Sequence, residues 1–314
     1  MRAGELTRAD QLSVLILPDL HIPSSFSKQK KLLLDNRGFL DRHDWVVLLG
    51  DVTNCYGTPR EYEHANRFIS NLGRPYSVVN GNHEFIFSPM ADDAPDFGSK
   101  WEHGSAEQQQ RQMNRFNDFY GFESCYQAAR HPLAGLILLG LDSIGPDDSG
   151  IMSEEHQRWF ERSLASMRDQ PVIVFSHLPI QDQRLDRIRY YEPGRRPYYQ
   201  PSPAVRHELE CRTAPTFWFS GHVHFCPPHP LSKPYRTEMG IWQVHCPDTR
   251  GYGRPHNQSW TPERYDGLFA RSLLLKKGRL SIITTDLVTD SECDRGEFDL
   301  SQPSRDCLMN STGL

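Results

Sequence analysis

Five times along this chain a short apolar run ends and a metal-ligating side chain follows within a few residues. Residues 14–17 lead into Asp19 and His21, residues 45–49 into Gly50, Asp51 and Asn54, and residues 76–79 into Gly81, Asn82, His83 and Glu84. Residues 172–175 lead into His177, and residues 216–219 into Gly221, His222 and His224. Near-continuous Val/Ile/Leu/Phe runs mark strands buried on both faces. In α/β sheets the edge beyond the strands' C-terminal ends is where ligands bind. Glycine stands before the ligand in three of the five cases, where it permits a sharp turn and a close approach.

The remaining pattern sets the architecture around these strands. Further β-rich runs occupy 136–141, 241–244, 272–275 and 280–287, and helical periodicity occupies 28–40, 60–72, 107–120 and 154–167, the last with Ser153 as its N-cap and an acidic first turn. A βαβα half followed by a strand-rich half predicts two sheets packed together with helices outside. Residues 1–289 read as one domain. Residues 290–314 carry six acids against two arginines and read as a loose polar tail. Three segments, 85–110, 182–203 and 248–266, break the rhythm as long loops.

The ligand types are Asp, Asn and His, with no thiolate among them. A mixed oxygen and imidazole set suits Mn, Fe or Zn. The donors outnumber what one ion takes, whereas two ions about 3.5–4 Å apart sharing a carboxylate would use them all. Such a pair suits in-line displacement at phosphorus.

In this order the segments read DLH, GDVTN, GNHE, SHLP and GHVH, and with them the chain resembles the calcineurin-like metallophosphoesterases. The resemblance implies a four-layer α/β/β/α sandwich of two mixed sheets flanked by helices, and hydrolysis of a phosphate ester by two divalent or trivalent transition-metal ions (Mn, Fe or Zn). Carried over residue by residue, it implies Asp19, His21 and His224 on one ion, Asn82, His177 and His222 on the other, and Asp51 bridging them. His83 would be the general acid that protonates the leaving oxygen, while a bridging hydroxide attacks. Asn54 would hold His83 in position. The DRG that continues the second motif in the family's protein phosphatases is absent: Asn54 is followed by Cys55 and Tyr56. The tyrosine ligand of the purple acid phosphatases has no match either. What remains resembles the bacterial phosphodiesterase branch that cleaves cyclic nucleotides and glycerophosphodiesters. A small phosphodiester is therefore the expected substrate. A broad-specificity phosphomonoesterase, an SbcD-like nuclease and a non-catalytic scaffold of the same fold are the alternatives.

Charge and cysteine usage narrow the partners. With Lys+Arg 35 against Asp+Glu 40 the net charge is −5, which disfavours nucleic acid without excluding it. No apolar run approaches the ~20 residues of a membrane span, so no membrane partner is expected. Seven cysteines without a CxxC pair, and no secretory signal, predict reduced thiols and a cytoplasmic protein. The 182–203 loop is dense in Arg and Tyr. Arg187, Arg189, Tyr190 and Tyr191 are its candidate substrate contacts, through phosphate and base or sugar, and Tyr198 and Tyr199 share the pattern. A solvated loop or the contact of a homo-oligomer is the competing reading. The nine histidines outside the motifs, His156 among them, read as packing or surface residues, as do Cys55 and Cys226 as packing residues.

Overall fold

Two six-stranded mixed sheets face each other in the computed structural model, which describes residues 10–23, 27–54, 57–87, 102–147, 149–187, 196–249, 252–253, 263–264 and 267–301. The strands of these sheets are β1 (Gln11–Leu17), β2 (Trp45–Leu49), β3 (Tyr76–Val79), β4 (Tyr126–His131), β5 (Ala134–Leu139) and β6 (Val172–Ser176). They continue with β7 (Thr216–Ser220), β8 (Tyr235–Arg236), β9 (Trp242–His245), β10 (Phe269–Lys276), β11 (Arg279–Asp286) and β12 (Ser291–Asp299). The first sheet has the order β12-β11-β10-β1-β2-β3, and the second β8-β9-β7-β6-β5-β4.

β1, β2 and β3 run parallel to one another, as do β5, β6, β7 and β9. Parallel strands need crossovers, and helices supply them except between β7 and β9, where the chain passes through β8. Alternate residues of the strands divide between two apolar layers. Val14, Ile16, Val47, Leu49 and Val79 meet Leu136, Ile173, Phe175, Phe217 and Phe219 between the sheets. Leu15, Leu17, Val46, Leu48 and Val78 face outward onto Leu33, Phe39, Tyr62, Phe68 and Phe116 of the first helical layer. On the far side Ile137, Val174 and Trp218 meet Phe160, Leu164, Val205 and Leu209. The result is the expected α/β/β/α sandwich.

Helices and strands follow the sequence pattern with three differences. The helix expected over 28–40 is broken at Asn36, whose Oδ1 accepts the Phe39 amide at 3.0 Å and so caps α2 (Arg37–Leu40) behind α1 (Ser27–Asp35). α3 (Pro59–Leu72), α4 (Ala106–Tyr120) and α5 (Glu154–Ser166) lie where the periodicity put them, with capping by Thr58, Ser105 and Ser153. β4 has no apolar run to announce it, since it is an edge strand that is only partly covered. The region read as a loose tail from residue 290 includes β12, which pairs antiparallel with β11 at the sheet edge. Its alternating exposure and acidic content conceal a strand from a search for apolar runs.

The long-loop readings are also revised in part. Within 182–203, residues 183–187 form helix α6 (Gln183–Arg187), and α7 (Pro203–Glu210) starts at its last residue. Tyr198 and Tyr199 are buried; Tyr199 stacks on Trp218 at 5.9 Å between centroids, and Tyr198 donates to Asp186 Oδ1 at 2.7 Å. These two are packing residues, not stacking platforms for a ligand.

Candidate metal centre

The C-terminal ends of β1, β2, β3, β6 and β7 converge where the two sheets meet. Backbone hydrogen bonds hold the loops together: Asp19 N donates to Gly50 O at 3.2 Å, His21 N to Asp51 O at 2.8 Å, and Gly221 N to His177 O at 3.0 Å. Among the described residues seven non-glycines have positive φ, and five of them are Asp19 (52°), His21 (45°), Asp51 (48°), His222 (64°) and His224 (50°). Each such residue costs of order 1–3 kcal/mol and persists where surrounding structure enforces it. Strain collected on five neighbouring candidate ligands marks a site built for their side chains. The glycines permit the crowding. A Cβ on Gly81 would run into Asp51 Oδ1, and one on Gly50 (φ +75°) would lie 2.7 Å from His177 Cβ.

The structure brings all seven expected ligands together, in two groups around Asp51. Asp19, His21 and His224 form one, with His224 Nε2 at 3.5 Å from Asp19 Oδ1. Asp51, His177 and His222 form the other, and Asn82 joins it. Asp51 reaches both: Oδ1 lies 3.3 Å from His177 Nε2, and Oδ2 lies 3.7 Å from His21 Nε2 and 3.6 Å from His83 Nε2.

The donor chemistry fits a cation. His177 gives its Nδ1–H to Leu49 O at 2.8 Å, which turns Nε2 inward. That nitrogen sits 3.2 Å from His222 Nδ1, 3.0 Å from Asn82 Oδ1 and 3.3 Å from Asp51 Oδ1. Two ring nitrogens, an amide oxygen and a carboxylate oxygen aimed at one point make a strongly electronegative cavity, suited to a borderline or hard ion rather than a thiophilic one.

His83 sits beside this cavity, with one donor atom each of His83, His21 and Asp51 within 4.8 Å of one another. It is buried, packs edge-on against His21 at 4.3 Å, and its Nδ1 lies 2.5 Å from the backbone carbonyl oxygen of Asn54. A carbonyl only accepts, so Nδ1 carries the hydrogen and Nε2 faces Asp51. Asn54, expected to hold His83 in position, contacts the ring through its main-chain carbonyl.

Two supporting carboxylates were not singled out by sequence reasoning. Glu84 is buried and accepts from the amides of Gly81 (2.6 Å), Asp51 (3.0 Å) and Thr53 (2.9 Å) and from the Thr53 hydroxyl (3.0 Å). Burial first, and the Asp51 carboxylate second, push it up to about 7. Asp248, also buried, lies 2.5 Å from His224 Nδ1 and so directs Nε2 toward Asp19. Each had a signal: Glu84 closes the GNHE segment, and Asp248 follows β9 just as the ligands follow their strands. The substrate-contact candidates Arg189, Tyr190 and Tyr191 lie outside the described residues, as does the Arg187 side chain, although Arg187 ends α6.

Comparison with known proteins agrees with this geometry. Residues 12–226 match the family model described as calcineurin-like phosphoesterase. The glycerophosphodiester phosphodiesterase GpdQ of Enterobacter lignolyticus is 28% identical over 158 residues, 48% of this chain and 48% of that protein. A probable glycerophosphodiester phosphodiesterase GpdQ of Arcobacter nitrofigilis is 27% identical over 137 residues, 43% and 42% of the two chains. The chain spans about half the length of the curated relatives it matches. In fold it is similar to the purple acid phosphatase PPD1 of yellow lupin seeds (TM-score 0.54, 14% identity, 93% of this chain and 54% of that one). It is likewise similar to GAP50 of Plasmodium (TM-score 0.50, 9% identity, 93% and 89%).

Proposed function

The chain belongs to the calcineurin-like phosphoesterase family, and on that premise we propose that it hydrolyses a small phosphodiester at a two-metal centre. The observation that carries the reading is the placement of Asp51 between two ligand groups, one of Asp19, His21 and His224 and one of Asn82, His177 and His222. These residues would hold a pair of Mn, Fe or Zn ions. When bound, such ions polarise phosphoryl oxygens and bring the pKa of a water down to about 7.

The chain's own residues do the rest. His83 Nδ1–H is committed to Asn54 O, so Nε2 is the nitrogen that takes up and releases a proton. Asp51 Oδ2 lies 3.6 Å from that nitrogen. The imidazolium gives its Nε2 proton to the departing alkoxide oxygen, which would otherwise leave as a strong base. Glu84 fixes the turns that carry Asp51 and His83, and Asp248 fixes the His224 ring.

Preference for a diester is supported by the two relatives named as glycerophosphodiester phosphodiesterases and by the missing DRG segment. Substrate contact by Arg187, Arg189, Tyr190 and Tyr191 rests on their composition and their place after the His177 strand. A cytoplasmic setting is supported by the free thiols of Cys125, Cys211, Cys226, Cys246 and Cys293. Among the described residues no helix is long and apolar enough to cross a membrane. The test is hydrolysis of bis(4-nitrophenyl) phosphate and 4-nitrophenyl phosphate by metal-replete protein, followed by glycerophosphodiesters and cyclic nucleotides. Higher kcat/KM on the diesters is expected. A preference for the monoester would overturn the diester reading, and inertness toward all of them would overturn the hydrolytic one.

A further inference from the structure

Beyond the C-terminal end of β5 stands another carboxylate, Asp142, some distance in sequence from every ligand described above. It joins Cys125, which precedes β4, and His156, in the first turn of α5. One donor atom from each of the three lies within 4.8 Å of the others. Cys125 Sγ is 3.4 Å from Asp142 Oδ1, and His156 Nδ1 is 3.3 Å from Asp142 Oδ2.

We propose that Cys125, Asp142 and His156 bind a divalent cation of the zinc class, at a site separate from the proposed two-metal centre. A tetrahedral ion with bonds of about 2.3 Å to sulfur and about 2.0 Å to nitrogen or oxygen sets S···O near 3.5 Å and N···O near 3.3 Å. The observed separations are of this length, each to its own oxygen of Asp142, and Oδ2 also accepts the Ser153 amide, so the carboxylate would turn one oxygen toward the ion on binding. The set of one thiolate, one imidazole and one carboxylate selects a borderline-soft ion over Mg or Ca. Thiolate and carboxylate together neutralise a dication, so the loaded site buries no net charge. Binding releases the Cys125 thiol proton to solvent; the neutral His156 ring keeps its hydrogen by carrying it on Nε2.

The surroundings are shaped for it. His156 is fully buried and Cys125 nearly so, whereas the Asp142 side chain is 18% exposed and leaves an entry path. The Tyr126 ring covers His156 at 3.9 Å between centroids. A histidine that only packs, such as His43, is hydrogen-bonded at both nitrogens, to Phe39 O and Ser272 Oγ. His156 Nε2 is buried with no hydrogen-bond partner among the described residues, so the ring is held by its Nδ1 edge alone. An ion here would pin β4, the loop after β5 and α5 together. It would also brace Leu141, whose amide and carbonyl are both bonded to the Asn80 side chain, two residues before Asn82.

The test is a cobalt(II) titration of the metal-free full-length chain. The donors proposed for the main centre include no sulfur, so a near-ultraviolet thiolate-to-cobalt charge-transfer band reports a site outside it, and the Cys125 variant assigns that site. The band is expected in the parent protein and in His21→Ala, lost in Cys125→Ser, and weakened in His156→Gln, with circular dichroism confirming that each variant is folded. Saturation of the parent without a band would mean a hydrogen-bonded cluster only and would overturn the proposal. A band that survives in Cys125→Ser would belong to another thiol and would overturn it as well. Should Cys125→Ser fail to fold, an undiminished band in His156→Gln has the same force.

Discussion

The carboxylate of Glu84 accepts the backbone N–H of Asp51 at 3.0 Å, so a buried acid one loop away sets the angle at which the carboxylate central to the proposed metal centre enters the cavity. The same side chain also takes the amides of Gly81 and Thr53. Glu84→Ala leaves three buried N–H groups without their acceptor, at about 1–3 kcal/mol each before relaxation. A loss of several kcal/mol in urea unfolding and of metal occupancy is expected. Glu84→Gln keeps one accepting oxygen and should fall between the two. Equal stability of Glu84→Ala and the parent would show that the turns hold themselves.

In the proposed reading His83 is a proton donor and ligates neither ion. His83→Ala should therefore retain the parent's metal content while kcat falls about 10²–10⁴-fold, the usual worth of a general acid. The loss should be smaller on substrates with acidic leaving groups, which need no proton. Elemental analysis with kcat on bis(4-nitrophenyl) phosphate and on an alkyl diester checks both halves. Unchanged turnover on the alkyl diester would remove His83 from the mechanism.

Asp248 acts on the centre through His224 Nδ1. Removing a carboxylate that orients a metal-bound imidazole commonly costs 10–100-fold in metal affinity. Asp248→Ala should show that loss for one of two ions, read by competition with a chelator, with the other ion held as in the parent. Loss of both ions together would mean that Asp248 holds the whole β9 loop rather than one ring.

The strands and the seven clustered Asp, Asn and His side chains were legible in the sequence because strands buried on both faces read as apolar runs, and because each of these side chains stands just past the end of such a run. Glu84 and Asp248 were not singled out because their role is to bond backbone amides or a ring nitrogen. Such a role depends on where other loops arrive and leaves no periodicity. The edge strands β4 and β12 were missed for a related reason: one face of an edge strand is wet, so Tyr126–His131 and Ser291–Asp299 alternate or are polar throughout. Tyr198 and Tyr199 were misjudged because the same aromatic side chain serves a core or a binding surface, and only Trp218 stacked against Tyr199 decides between them.

His43 gives the fold a defined acid sensitivity. It is buried beneath α2, with Nδ1 donating to Phe39 O at 3.0 Å and Nε2 accepting from Ser272 Oγ at 2.7 Å. Burial, chiefly, lowers it from 6.5 to about 4. Above pH 6.5 the ring is neutral in both folded and unfolded chains, and its interactions count in full. Below pH 6.5 the unfolded chain gains a proton that the folded chain refuses, so stability falls until about pH 4 and then levels. The difference in pKa corresponds to about 3 kcal/mol. His43→Leu loses the two hydrogen bonds and is expected to be less stable than the parent at pH 7. It has no ring to titrate, and the carboxylates common to both chains cancel in the comparison. The stability gap measured by urea unfolding should therefore shrink by about 3 kcal/mol between pH 7 and pH 4. A gap constant across that range would mean that His43 is protonated in the folded chain as readily as in the unfolded one.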